Sequence, residues 1–512
     1  MEGILMKILI ATAEAVPFAK TGGLADVTGA LPLVLAERGS TSGKGHDVRL
    51  VLPQYAMTKN WLANNPQFSV QKIIGMDVPV KGILIKGIIE ELKYENITVY
   101  LIKNDDYFLR DELYSTQSGD YDDNAERFIF FSRAVLEMLK LKDWSPDVIH
   151  LNDWQAATIP LFLKTVYKDD PFYSSISTIL TIHNLGYQGV FPSSELNLFS
   201  GINPEEIFTM DKLEFYGKIN LLKAGIVYAD IVNTVSPKYA QEIQLPECGY
   251  GLDGVLKQRS HELYGIINGI DYDIWNPATD KEIMHHYSLQ CPENKRLNKL
   301  NLIDNFHLGT KGATSISLLD DIPLIGLVGR LASQKGLDIL AEIFEPLLFM
   351  DVRLILLGSG EEKYHSLLQK IAKKYRGKIS VNFGYNEELA HRIYASSDMF
   401  LMPSHYEPCG LGQLISLRYG TIPIVRETGG LADTIEEFDP LSGKGNGFTF
   451  TEYSGKALLQ TIKRACYIYQ HKTDWKRCVA NGMNQDYSWA SSAMEYVKLY
   501  RRAVRQRQGK GD

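Results

Sequence analysis

Polar residues able to do chemistry recur at one kind of place in this chain, the downstream end of short apolar runs. His150, Asn152, Asp153 and Trp154 close VIHLND, and His183 and Asn184 close STILTIHN. Arg330 closes IPLIGLVGR with Lys335 one turn on, Tyr385 follows ISVNFG, and His405, Glu407, Cys409 and Gly410 follow DMFLMPS. Such groups are costly to bury without a purpose, so their recurrence in both halves points to a ligand site. Lys20, Arg330 and Lys335 supply the fixed positive charge that a diphosphate requires, while Asp153, His183, Asn268 and Glu407 are the types set around hydroxyl groups. Tyr385 offers a ring to stack on a base. A sugar nucleotide answers to that description.

The six residues TGGLAD occur twice, in KTGGLADVTG from 20 and in ETGGLADTIE from 427. Each copy follows a strand pattern and opens a helix. A glycine-rich turn lets backbone approach an anion, and a helix start offers N–H groups with partial positive charge. Gly22 and Gly23, with Lys20 beside them, are expected to face phosphate, and the second copy is expected to present a similar helix start to the same ligand.

Positioning these residues requires parallel strands whose carboxyl ends share a side, as in doubly wound α/β sheets. Strand patterns at 6–14, 47–53, 97–104, 146–153, 177–184 and 229–237 form one set; 322–330, 352–360, 379–386, 398–404 and 421–427 form a second. We expect a first domain over 1–264, a second over 265–488, and a helix at 489–512 crossing back to the first. In that helix Met494, Val497, Tyr500 and Val504 follow helical spacing and are expected to pack inward. The stretch 264–280 is turn-rich and suits the crossing, 39–45 reads as a surface loop, and 281–321 is polar with a helix inside it.

A chain of 512 residues, 45% hydrophobic and 22% charged, suits two large globular domains. A net charge of -7 argues against a nucleic-acid binder. The basic group Arg501, Arg502, Arg505, Arg507 and Lys510 reads as a solvated helix end. Five scattered cysteines without a CxxC pair fit a reducing cytoplasm, and the opening residues show neither a targeting segment nor a membrane span. GSTSGKG fails as a phosphate loop because Arg38 and Gly45 occupy required positions, and LLGSGEEK fails as a dinucleotide fingerprint at Lys363. No metal motif is present, and neither a metal nor a cofactor is expected.

KTGGLADV, HLNDW, TIHNLGYQG, PECGYGLDGVL, NGID, GRLASQKGLD, HYEPCGLGQL and YGTIPIVRETGGLADT, in that order, resemble the bacterial glycogen synthase and plant starch synthase family over about residues 6 to 500. The resemblance implies a GT-B glycosyltransferase: two Rossmann-like domains facing a deep interdomain cleft, with ADP-glucose or UDP-glucose as donor and glycogen or another α-1,4-glucan as acceptor. It implies neither nucleic-acid nor membrane partners, and a cytoplasmic setting, or a plastid stroma in a plant. It places Lys20, Gly22 and Gly23 at the phosphates and transferred sugar, Asp153 and His183 beside glucosyl unit and acceptor, and Asn268 near the sugar. Arg330 and Lys335 would hold the diphosphate, Tyr385 the base, and Glu407 the glucose hydroxyls, with the backbone of Cys409, Gly410, Leu411 and Gly412 close by. Glucose would pass to a nonreducing 4-hydroxyl with retention at the anomeric carbon. Gly412 departs from relatives carrying a side chain such as Thr, Ile415 stands where wider GT-B relatives have Glu, and 40–45 looks inserted.

Overall fold

The computed structural model describes residues 5–38, 45–116, 119–309 and 320–509. The proposed insertion at 40–45, apart from Gly45, and Lys510 of the basic group lie outside the described residues. The chain divides into two compact units: one comprising 1–269 with 489–512, the other 270–488.

The first unit is built on a nine-stranded sheet. Its strands are β1 (Lys7–Ala11), β2 (Asp47–Pro53), β3 (Lys72–Val80), β4 (Ile83–Tyr94), β5 (Ile97–Lys103), β6 (Val148–Asn152), β7 (Ser177–Ile182), β8 (Ile231–Thr234) and β9 (Leu263–Gly265). They lie in the order β9-β8-β7-β6-β1-β2-β5-β4-β3. From β9 to β5 all neighbours are parallel, with Lys7 opposite Asp47 in the β1–β2 register, and β3 and β4 add an antiparallel hairpin at one edge. Central strands are buried on both faces beneath helices, and every residue of β6 and β7 is buried. The hairpin has no counterpart in the sequence reading. Gly75 and Pro79 interrupt β3, and Ile73, Ile83 and Leu84 are exposed, so the alternation that marks a strand is blurred. Pairing of β9 with β8 carries the first unit beyond residue 264 to Gly269.

The helix Trp489–Arg507 packs on one face of this sheet, against the helix Gly23–Arg38 and strands β6 and β7. Trp489, Tyr496, Val497, Tyr500 and Ala503 join Met6, Ile8, Ile10, Leu31 and Leu35 in one core. Met494, expected inside, is 61% exposed; the buried stripe runs instead through Ala493, Tyr496 and Tyr500. Polar ties help fix the helix: the His150 Nδ1 lies 2.9 Å from the Tyr500 hydroxyl, and the Ser177 hydroxyl donates to the Ala503 carbonyl at 3.2 Å.

The second unit carries a six-stranded parallel sheet of β10 (Leu324–Val328), β11 (Arg353–Gly358), β12 (Ile379–Phe383), β13 (Met399–Met402), β14 (Ile422–Arg426) and β15 (Phe448–Phe450), ordered β12-β11-β10-β13-β14-β15. The strand order reverses at β10 and β13, the kind of place where open α/β sheets bind ligands. β15 is too short to declare itself in sequence. The helix expected within 281–321 spans Glu293–Asn305.

Candidate active site

In the first unit the carboxyl ends of β1, β6 and β7 are tied together. The Asn152 amide donates to the Ala11 carbonyl at 3.3 Å, which turns its oxygen toward His183 Nε2 at 2.9 Å. His183 therefore carries its proton on Nε2 and keeps Nδ1 as an acceptor. Its backbone N–H donates to the Asp153 carboxylate at 2.7 Å. Asp153 is buried and held at φ 55°, a conformation that costs a non-glycine residue on the order of 1–2 kcal/mol.

Burial pushes the Asp153 carboxyl up to about 7, against the pull of the His183 and Asn184 N–H groups and with help from the charge of Glu14. Burial also drives the His183 imidazole well below its ordinary range, so it is neutral at physiological pH. His150, from the same strand-end group, belongs elsewhere. Its side chain lies beneath the last helix, between the hydroxyls of Tyr500 and Thr181, and burial pushes it down to about 3. Trp154 likewise turns into the core, against Phe128 and Phe191.

Glu14 is the residue that sequence reasoning missed. Buried just past β1, it accepts from the Thr21 N–H at 2.6 Å, the Thr21 hydroxyl at 2.7 Å, the Gly22 N–H at 3.2 Å and the Tyr114 hydroxyl at 2.8 Å. One carboxylate thus shapes the first glycine turn from beneath. The Gly22 N–H is engaged by it, so the backbone donor expected to face phosphate is already occupied. Gly22 and Gly23 nonetheless face open space: among the described residues, no atom beyond their chain neighbours and the helix they open lies within 4 Å of where a side chain would begin. Lys20 is paired with Asp26 at 2.6 Å on the exposed rim of this turn. Asn268 is buried, and its side-chain oxygen has no hydrogen-bond partner among the described residues, as a group awaiting a ligand hydroxyl would be.

In the second unit the chain leaving β10 turns at Arg330, whose guanidinium donates to Gln334 at 2.7 Å. The Lys335 ammonium lies 2.5 Å from the buried Glu407 carboxylate, which also accepts from the Ser404 hydroxyl at 3.0 Å. Gly336 is obligatory in holding this pair. It sits at φ 77°, and a Cβ there would lie 2.1 Å from the Pro403 carbonyl. The Gln413 amide braces the following turn by donating to the carbonyls of Cys409 at 2.9 Å and Gly410 at 3.1 Å. After Leu411, Gly412 opens the helix Gly412–Arg418, and a Cβ at that position would meet the Phe400 ring at 2.9 Å and the Tyr394 hydroxyl at 3.2 Å. The departure at Gly412 is matched by its neighbours. Tyr385 is 80% exposed beyond β12, and its hydroxyl donates to Glu387 at 3.2 Å.

The second TGGLAD does different work from the first. The Gly430 N–H donates to the carbonyls of Glu407 and Pro408, each at 3.1 Å, and a Cβ on Gly429 would lie 1.9 Å from the Glu407 carbonyl. The expectation of a helix start open to a ligand fails at these glycines, because their close approach is spent clamping the loop that carries Glu407.

The structure thus gathers Asp153, His183 and Glu14 in one unit, and Arg330, Lys335, Glu407 and the 409–412 turn in the other. Each unit also matches the pattern of a known family. The sequence pattern of the starch synthase catalytic domain matches residues 7–258, and that of glycosyl transferases group 1 matches 315–478. Glycogen synthase of Desulforudis audaxviator is 47% identical over 98% of this chain and 97% of its own. That of Thermosipho africanus is 48% identical over 98% and 100%. Among solved structures, the catalytic domain of Starch Synthase IV from Arabidopsis thaliana, bound to ADP and acarbose, is similar with a TM-score of 0.84 and 33% identity, covering 98% of this chain and 100% of that one. Sucrose-phosphate synthase from Thermosynechococcus elongatus shares the fold at a TM-score of 0.58 and 16% identity, over 97% and 98% of the two chains.

Proposed function

The chain belongs to the family of the bacterial glycogen synthases and plant starch synthases, and from that premise we propose that it transfers glucose from ADP-glucose to the nonreducing 4-hydroxyl of an α-1,4-glucan, with retention. It is a glycosyltransferase of the GT-B fold. The bond from the anomeric carbon to the diphosphate oxygen breaks, a bond to the acceptor oxygen forms, and the acceptor proton leaves with the diphosphate. Loss of a diphosphate is the costly event, and fixed cations aimed at the growing charge lower that cost.

The observation that carries this reading is the Lys335–Glu407 pair beside Arg330, at the point where the second sheet reverses its order. Arg330 and Lys335 meet the diphosphate, with the N–H groups of 409–412 close to them. Glu407, holding Lys335, accepts hydrogen bonds from the glucose hydroxyls. In the first unit Asp153, His183 and Asn268 receive sugar and acceptor hydroxyls, and Lys20 with the open face of Gly22 and Gly23 borders the donor. Adenine as the base is supported by the ADP in the Arabidopsis relative. The bacterial relatives support a cytoplasmic setting.

Purified protein incubated with glycogen and either ADP-glucose or UDP-glucose, followed by nucleotide release and polymer-bound glucose, tests the reaction. Incorporation from ADP-glucose at the higher kcat/KM is expected; release without incorporation would overturn the acceptor. Lys335→Ala is expected to lower turnover on the order of a hundredfold or more, and unchanged turnover would remove Lys335 from the donor site.

A further inference from the structure

Three tyrosines that the reaction above does not use stand exposed on the first unit: Tyr216 at 81%, Tyr187 at 56% and Tyr250 at 45%. Two of them are held where tyrosine is unfavoured. Short strands Glu214–Phe215 and Lys218–Asn220 pair antiparallel with Phe215 opposite Lys218, so Tyr216 and Gly217 form a two-residue hairpin turn at φ 52° and 77°. A turn with both residues left-handed favours Asn, Asp or Gly in its first place. Tyr250 and Gly251 repeat the pattern at φ 49° and 80°. Exposed aromatic side chains kept at a conformational cost are the mark of a surface that touches something.

The three segments are neighbours. A Cβ on Gly251 would lie 3.0 Å from the Phe215 ring and 3.3 Å from that of Tyr216, so the two Tyr-Gly turns abut. The Gln188 amide, next to Tyr187, donates to the Tyr250 carbonyl at 3.2 Å and accepts from the Asn220 amide at 2.6 Å. The same loop begins at His183, whose N–H holds Asp153, and at its other end Gly189 packs under the Trp154 ring. One loop therefore joins the aromatic segments to the residues proposed to face the sugar. Over 184–189, 214–218 and 249–251 the charged residues are Glu214 and Lys218, which balance.

The geometry points to a glucan-binding platform in which Tyr187, Tyr216 and Tyr250 stack against successive glucosyl units of the acceptor chain, upstream of the end that His183 and Asp153 receive. It rests on the reading that the acceptor is an α-glucan. The C–H groups on the faces of a glucose ring carry partial positive charge and meet the negative face of an aromatic ring, and the phenolic hydroxyls reach the sugar edge. A neutral aromatic surface suits a neutral polymer and offers nothing to a phosphate or an acidic peptide.

The test uses Tyr216→Asn, Tyr250→Asn and the double variant, because asparagine suits left-handed backbone and keeps the fold. Each is measured by retardation in native gels containing glycogen, by KM for glycogen and for the nucleotide sugar, and by Tm. We expect Tm to hold or rise, donor KM to stay, retardation to weaken, and KM for glycogen to rise about five- to tenfold per ring. Retardation and glycogen KM unchanged in the double variant would overturn the platform, as would wild-type protein that glycogen does not retard. A variant that changes self-association while glycogen still retards it would reassign the surface to contact between copies of this chain. If the wild type transfers no glucose, the proposed function fails, yet the retardation of wild type against the double variant still decides the platform.

Discussion

At the scale of single residues, Asp153 shows what function asks of stability. Its carboxyl, ordinarily near 3.8, stands at about 7 because it is buried, so between about pH 4 and 7 the folded state binds one proton more than the unfolded. Stability from this site is greatest below about pH 4, falls as pH rises to 7, and then levels off, a loss of at most about 4 kcal/mol. Asp153→Asn cannot ionise, keeps an acceptor for the His183 N–H and suits φ 55° better. The variant should melt higher than wild type near pH 8, the gap narrowing toward pH 4.5, while glucosyl transfer falls on the order of a hundredfold or more. Thermal melts across that range beside the transfer assay check both halves; a gap that does not vary with pH would deny the raised pKa. Asp153 and His183 were legible in sequence because they end apolar runs. Glu14 was not, although it too follows one: its role is set by the turn that folds over it, and nothing in MKILIATAE distinguishes a buried carboxylate from an exposed one.

At the scale of elements, the two copies of TGGLAD show how far a motif can be read. Both were legible as strand-to-helix turns, and both are, over Gly23–Arg38 and Gly429–Thr434. What each turn touches was not, because that depends on residues distant in sequence: Glu14 below one, Glu407 and Pro408 against the other. The glycines accordingly differ in what they tolerate. Gly429→Ala would drive a methyl into the Glu407 carbonyl at a φ of 45°, and we expect a loss of at least about 2–3 kcal/mol with transfer activity falling alongside. Gly22→Ala meets empty space and ordinary backbone, so stability should shift by less than about 1 kcal/mol. Any fall in activity in that variant reports close approach of substrate to the turn. Denaturant titration of the pair checks the contrast, and equal losses at both sites would contradict it. The strands that escaped sequence reading did so for two reasons: β3 and β4 lie half in solvent, and β9 and β15 are only three residues long, so none presents the run that burial on both faces writes into β6 or β7.

At the scale of the whole molecule, the two units are completed differently. The core of the second is formed by residues between Ile325 and Cys478 in one unbroken segment. The first needs the far end of the chain, since Trp489, Tyr496 and Tyr500 share a core with β1, β2 and Gly23–Arg38. Residues 270–488 expressed alone should therefore fold cooperatively, whereas 1–269 alone should aggregate or bind dyes that report exposed apolar surface. Near-ultraviolet circular dichroism and a melting curve for each fragment decide this; a cooperative melt from 1–269 would show the last helix to be dispensable.

That same helix bears on how the protein is born. Synthesis ordinarily lets the earliest domain fold first, but here the opening unit must wait, one face of its sheet only partly covered by Gly23–Arg38, until Trp489–Arg507 has been made. The later unit is already complete by then. A nascent chain broken off before Trp489 would carry a finished second unit and an open first one, marked for chaperones or proteases by the surface that the missing helix was to cover.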